Sequence, residues 1–254
     1  MKKWIVAIAA LATGLALGGI AAAQTTTAPA AAPAPPAAPA PDWVVAYNAG
    51  VQTDYIFRGL SQTNSNPSVF AGIDATYKGV FYLGAWTSNV NFKTLAGDTS
   101  TSEEVDLYGG WRPSTDGYNF DFGVQYYGYL DQPSRSKVDY TEIYAKVSKT
   151  YGAFTPGAAI YYSNQYSYHS GKGYYAELNG SFTLDPEWTM SGAVGHAEYS
   201  DLVSAASYNT WNVGLTWAFM PHLGVDVRYY DTDAHKFYGD AGKGRMVAAL
   251  KATF

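Results

Sequence analysis

The sequence predicts an all-β fold, a 12-stranded antiparallel transmembrane β-barrel with short periplasmic turns and longer extracellular loops. Three observations lead there. From Asp42 to the C-terminus, apolar residues recur with period two, and helix-period segments are absent. The connections between those segments alternate long and short without a break. Beyond the first 23 residues no apolar run reaches the roughly 20 residues a spanning helix needs. Any crossing by the mature chain must therefore be made by strands, which satisfy every backbone group in lipid only as a closed barrel.

The chain divides into three parts. Residues 1–23 read as a secretory signal: Lys2 and Lys3 open it, an apolar run extends from Trp4 to Ile20, and Ala21-Ala22-Ala23 supplies a small-residue cleavage site. Gly14, Gly18 and Gly19 interrupt the run and no basic stop follows, which argues against a retained anchor. Residues 24–41, "QTTTAPAAAPAPPAAPAP", hold six of the 12 prolines and cannot build a core; they read as a flexible periplasmic segment. Residues 42–254 form the barrel. Export and a net charge of -5, which loss of the signal lysines deepens, argue against a nucleic-acid partner. With no cysteine, stability must come from burial and backbone pairing. The aromatic content of 16% beside only 15% charged residues is unusual for a soluble exported domain.

The twelve segments follow in order. "WVVAYNAGVQTDYIF" sets Trp43, Val45, Tyr47, Ala49, Val51, Tyr55 and Phe57 against Asn48, Gln52 and Asp54. "SVFAGIDATYK" sets Val69, Ala71, Ile73, Ala75 and Tyr77 against Asp74, Thr76 and Lys78. "VFYLGAWTSNVNF" is apolar on both parities near its start and has no readable orientation. "EEVDLYGGWR" turns Val105, Leu107 and Trp111 one way and Glu104, Asp106, Tyr108 and Arg112 the other. "NFDFGVQYYGYL" and "YTEIYAKVSKTY" oppose Phe120, Phe122, Val124 and Ile143, Ala145, Val147 to Asp121, Gln125 and Glu142, Lys146. "AFTPGAAIYYS", "GYYAELNGSFTL", "WTMSGAVGHAEY", "NTWNVGLTWAF" and "HLGVDVRYYD" follow, and "GKGRMVAALKATF" ends the chain. An even count returns both chain ends to the side of the short turns, and each segment reaches the roughly 9–11 residues of a tilted spanning strand. The six barrel prolines lie in loops, in turns or, for Pro156, near a strand start.

Aromatic residues gather at segment ends, as the girdles of a spanning barrel do. Trp43, Trp111, Phe154, Trp188, Phe219 and Phe254 mark the turn end; Tyr55, Phe57, Trp86, Tyr199 and Tyr229 mark the loop end. The blocks "TDYIFRGLSQ" (Thr53–Gln62), "GVFYLGAWTSNVNF" (Gly79–Phe92) and "EEVDLYGGW" (Glu103–Trp111) resemble the opening of the TorF-type putative porins, proteobacterial outer-membrane proteins. The resemblance covers Trp43–Phe254 and implies a porin-class barrel in the outer membrane of a Gram-negative bacterium, without implying a substrate. The terminal Phe254 resembles the assembly signal of bacterial outer-membrane barrels, which implies recognition by the barrel-insertion machinery.

With the apolar parity toward lipid, the inward parity is dense in charge, since charged side chains are costly on the lipid face. The candidate lumen-lining residues are Asp54, Arg58, Glu104, Asp106, Arg112, Asp121, Glu142, Lys146, Glu177, Asp226, Arg228, Arg245 and Lys251; Asp74, Lys78 and Lys243 share their parity. The two signs balance, so no ion selectivity follows. Either the charges line a water-filled path, or they pair and plug a barrel of intermediate width. Gly59 can take the positive φ of a turn. Arg58 beside it offers a bidentate donor to a luminal or loop carboxylate, or to a lipopolysaccharide phosphate.

Chemistry has little support. Some outer-membrane barrels of this size are phospholipases that use a spaced His and Ser with an Asn. Here His169 is followed directly by Ser170, and His196 by Ala197 and Glu198, so no nucleophile and base share a strand face. The four histidines lack metal-ligand spacing, and no metal, cofactor or enzymatic activity is expected. Loops such as "NQYSYHSGKGYY" and "DTDAHKFYGDAGKG" have a composition suited to sugars or cations, although the second lacks the closing Glu of an EF-hand. The reading is a narrow, charge-lined channel for passive diffusion of small hydrophilic solutes or ions, contacting outer-membrane lipids and lipopolysaccharide. The alternative is a non-conducting barrel with a structural or surface-interaction role.

Overall fold

The computed structural model describes residues 41–133, 137–200 and 206–254. The signal segment and nearly all of the Pro/Ala segment lie outside the described residues.

Twelve long strands are present: β1 (Trp43–Gln52), β2 (Ser68–Tyr77), β3 (Phe81–Asn89), β4 (Glu103–Trp111), β5 (Tyr118–Leu130), β6 (Tyr140–Lys149), β7 (Phe154–Ser163), β8 (Gly173–Thr183), β9 (Trp188–Tyr199), β10 (Tyr208–Met220), β11 (Leu223–Thr232) and β12 (Arg245–Thr253). Each pairs antiparallel with the next, and β12 pairs with β1 (Asn48 opposite Thr253, Gln52 opposite Ala249), which closes the sheet. Closure removes the edge that an open sheet would expose. Phe254 extends the seam, since its N–H donates to the Tyr47 carbonyl and its carbonyl accepts from the Tyr47 N–H, both at 2.9 Å.

The outer surface is apolar. Val69, Leu83, Leu107, Ile143, Ile160, Leu178, Val194, Val213 and Met246 are all exposed on it, as a band meant for hydrocarbon would be. The turn end carries a girdle of rings, with Trp43 on Tyr77 at 4.9 Å, Trp188 stacked on Trp217 at 5.3 Å and Phe254 stacked on His222 at 5.7 Å.

Four features differ from the sequence reading. The first strand stops at Gln52 rather than Phe57, and Tyr55, 1% exposed, lies inside the barrel. Trp86 and Tyr199 also face inward and are buried, so the loop-end ring outside is made instead by residues such as Tyr126, Tyr174 and Trp211. The unoriented third segment turns Phe81 and Leu83 out and Tyr82 and Trp86 in. Its inner parity is apolar because it packs against other aromatics rather than water. Lys78 sits in a turn at φ 50° and Lys243 in a loop, where it pairs with Asp240; neither reaches the bore.

Inside, several tyrosines lie flat on the wall over glycines of the adjacent strand. Tyr108 covers Gly84 and Tyr82 covers Gly110, and any Cβ at those glycines would meet the ring. A missing side chain is what lets a large ring lie along the wall instead of across the bore.

Candidate functional site

The loop after β1 does not lie over the barrel rim but dips into the lumen. Ile56–Phe57 and Leu60–Ser61 pair as a two-residue hairpin around Arg58 and Gly59. Both central residues have positive φ (48° and 82°), the requirement of the type I′ turn that suits the strand twist. Gly59 is essential for a second reason: its α-carbon abuts the side chains of Thr210 on β10 and Thr232 on β11, leaving no room for a Cβ.

The base of the hairpin is held by Asp54. Its carboxylate accepts from the Ser61 and Thr63 hydroxyls, both at 2.7 Å, and from Arg245 of β12 at 2.8 Å. Tyr55 packs edge-on against Trp86 at 5.3 Å and donates to Glu104 at 3.3 Å. Phe57 packs on Tyr127 at 5.7 Å. At the tip the Arg58 guanidinium donates two parallel bonds to Glu142 on β6, at 2.8 and 2.6 Å. The same group lies 4.8 and 4.4 Å from the ring centres of Tyr161 and Tyr175, and Tyr208 donates to its carbonyl at 2.9 Å. Burial pulls the Arg58 pKa down, but the Glu142 carboxylate, with Tyr166 and Tyr127 adding to it, more than offsets this and holds it well above the ordinary value. The hairpin thus reaches from the β1–β2 side of the wall to β6–β8 and β10–β11, bridging the bore near its loop end.

On the loop side of the hairpin is a vestibule of about 270 Å³. Among the described residues, nine of the fourteen that line it are aromatic, and none is charged. Phe57 and Leu60 of the hairpin contribute to it, as do Tyr129, Tyr140, Tyr199 and Tyr208 of the wall and Phe92, Tyr166, Tyr168 and Tyr238 of the loops. Tyr166 stands between Tyr140 and Tyr199, with ring centres 4.4 and 4.8 Å away.

On the turn side the bore is charged. Asp121 is shared by Arg112 at 3.3 Å and Lys146 at 3.9 Å, with Arg112 lying 3.6 Å over the Tyr82 ring. Asp121 also accepts from Tyr82 at 2.6 Å, and Tyr82 and Tyr144 bond through their hydroxyls. Lys251 and Asp74 face the bore from β12 and β2, with Tyr108 donating to Asp74 at 2.8 Å. Glu177 accepts from Tyr175 and Asn179, both at 3.0 Å. On the opposite wall Arg228 is buried against Asp226 at 3.0 Å, Asn212 at 2.8 Å and the Ser191 hydroxyl at 2.8 Å.

Of the candidate residues, Asp54, Arg58, Glu104, Glu142 and Arg245 thus meet at the hairpin. Asp106 neighbours Glu104 and takes a bond from Gln125 at 2.8 Å. Arg112, Asp121 and Lys146 meet below it, and Asp226 and Arg228 form a separate pair. Glu177 and Lys251 join no ion pair among the described residues. Parity reasoning missed the hairpin and the aromatic vestibule. The available signal was "IFRGLS", in which Ile56-Phe57 and Leu60-Ser61 flank a residue followed by a glycine, which is a hairpin pattern. His169 lies in a loop, and His196 faces outward and bonds Asn209 at 2.9 Å. Among the described residues no cluster of three or more His, Cys, Asp or Glu side chains could hold a metal.

Comparison with known proteins agrees with this fold. The barrel is similar to the KdgM porin solved in complex with disordered oligogalacturonate (11% identity, TM-score 0.55, 83% of this chain and 98% of that one). It is similar also to the NanC porin (9% identity, TM-score 0.56, 83% and 99%). The COG4313 outer membrane channel from Pseudomonas putida F1 aligns over 84% of this chain and 95% of its own, at 12% identity and TM-score 0.52. At these identities the likeness is one of fold. No curated protein sequence matches the chain. The model of the family described as "Bacterial protein of unknown function (Gcw_chp)" matches residues 36–254, the whole barrel and the end of the Pro/Ala segment. The chain is a member of the Gcw_chp family of bacterial proteins.

Proposed function

We propose that this protein is a channel of the Gram-negative outer membrane, passing small hydrophilic solutes or ions through a bore narrowed by the in-folded hairpin. The observation that carries the reading is the division of the closed sheet into an apolar exterior and a bore lined by polar and charged side chains. A barrel needing only to be stable would gain more from an apolar filling, because buried ion pairs seldom repay their desolvation. The tyrosines held flat over glycines support the same reading, since a ring along the wall takes less of the bore than one across it. The solved barrels it resembles in fold are named as porins and an outer membrane channel.

In this reading the signal segment directs export, the Pro/Ala segment lies in the periplasm, and Phe254 serves as the signal read by the barrel-insertion machinery. The outer girdle meets lipid and lipopolysaccharide, and the protein has no enzymatic activity. The alternative, a non-conducting barrel, is favoured by one observation: the Arg58–Glu142 pair, with side chains only 6% and 1% exposed, pins the hairpin across the bore. Purified, refolded protein in planar bilayers separates the two. The channel reading expects discrete single-channel steps. Their absence at every voltage and salt concentration, from protein shown to be folded by heat-modifiable gel mobility, would establish the alternative.

A further inference from the structure

We infer that the aromatic vestibule is a binding site for a neutral saccharide, the first station for solute entering from the loop end; this deepens the channel reading and rests on it. Three features of the cavity select that chemistry. It is walled by flat rings, chiefly tyrosines such as Tyr140, Tyr166, Tyr199, Tyr208 and Tyr238. Such rings offer an apolar face to the C–H face of a sugar and a hydroxyl to its edge. Its remaining polar lining consists of Gln62, Ser167 and Ser170, which are neutral donors and acceptors. A concave, mostly apolar pocket with a few such groups is the usual form of a small-molecule site.

Charge decides against the other ligands that rings attract. Every charged side chain is excluded from the described lining, although the bore beneath is crowded with charge. A quaternary ammonium would suit an aromatic cage, but the Arg58 guanidinium lies 4.6 Å from the ring centre of Phe57, one of the lining residues. That guanidinium is neutralised by Glu142, and no carboxylate lies among the described lining residues to balance a bound cation. An acidic sugar needs a free cationic donor. Both terminal nitrogens of Arg58 are already committed to Glu142. A neutral ring with hydroxyl edges is what remains.

Tyr166 is the residue to remove, because it belongs to a loop rather than a strand and is only partly buried between Tyr140 and Tyr199. The experiment is calorimetric titration of the refolded full-length protein in detergent with maltose, digalacturonate and choline, repeated on Tyr166→Ala and on Gln62→Ala. The expected result is saturable binding of maltose alone, weakened about five- to tenfold by Tyr166→Ala, the loss of one stacked ring. Gln62→Ala should weaken it to a lesser degree, and heat-modifiable mobility should be unchanged in both. Binding of digalacturonate or choline in preference to maltose, no binding of any of the three, or maltose binding indifferent to Tyr166→Ala would each overturn the inference. Titration needs no conductance, so a barrel that binds maltose but never conducts would defeat the channel reading and leave the site standing. A conducting barrel that binds no maltose would do the reverse.

Discussion

Replacing Glu142 by glutamine should release the hairpin from the bore. The substitution keeps the size of the side chain but removes the charge that accepts both guanidinium bonds of Arg58, at 2.6 and 2.8 Å. Both partners are almost wholly buried. Removing one member of such a pair strands the other, at a cost of roughly 3–5 kcal/mol. At about 1.4 kcal/mol per tenfold, the balance between docked and undocked hairpin should shift by two to three and a half orders of magnitude. The barrel wall itself need not unfold, because the hairpin is an insertion between β1 and β2 and the twelve-strand ladder does not depend on it. The chain has no cysteine, which makes the assay simple. A Leu60→Cys background places one thiol at a buried hairpin position, and its labelling rate reports the undocked fraction. Glu142→Gln should raise that rate at least about a hundredfold. Adding Arg58→Met in the same chain should slow it again, since no uncompensated charge then remains. Unchanged labelling in Glu142→Gln, with the barrel folded, would refute the reasoning that this pair holds the hairpin.

Three further outcomes are expected. Gly84→Val should force the Tyr108 ring off the wall into the bore and lower single-channel conductance, whereas the outward Ala85→Val should not. Leu178→Arg, at the exposed middle of β8, should destabilise the barrel in bilayers by about 2–4 kcal/mol in urea titrations, as a cation does at the hydrocarbon midplane. Arg112→Ala removes one of the two cations that share Asp121, so the reversal potential under a salt gradient should move toward cation preference.

The barrel was legible because lipid and lumen impose opposite demands on successive residues. Leu107 and Asp106, or Val227 and Arg228, cannot exchange faces, so parity along each strand reveals strand, orientation and boundary together. Connection lengths then gave the count. The same rule failed wherever both parities are aromatic. Tyr82 and Trp86 look like lipid-facing residues by composition, yet they pack inside against Tyr144 and Tyr55. It failed also beyond Gln52, where continued alternation in "TDYIF" mimics a strand while the chain folds back on itself. The partner that draws Arg58 inward, Glu142, lies 84 residues away, and no local pattern encodes that distance. The vestibule is assembled from wall strands, hairpin and loops, and so is likewise visible only in three dimensions.

The central claim is a polar bore narrowed by the segment Tyr55–Gln62. The most direct measurement compares single-channel conductance of the intact protein with that of a variant in which this segment is replaced by a short Gly-Ser link. The account predicts small discrete steps from the intact protein and markedly larger ones from the variant, both from heat-modifiable, folded barrels. Equal conductance in the two, or none from either, would contradict it.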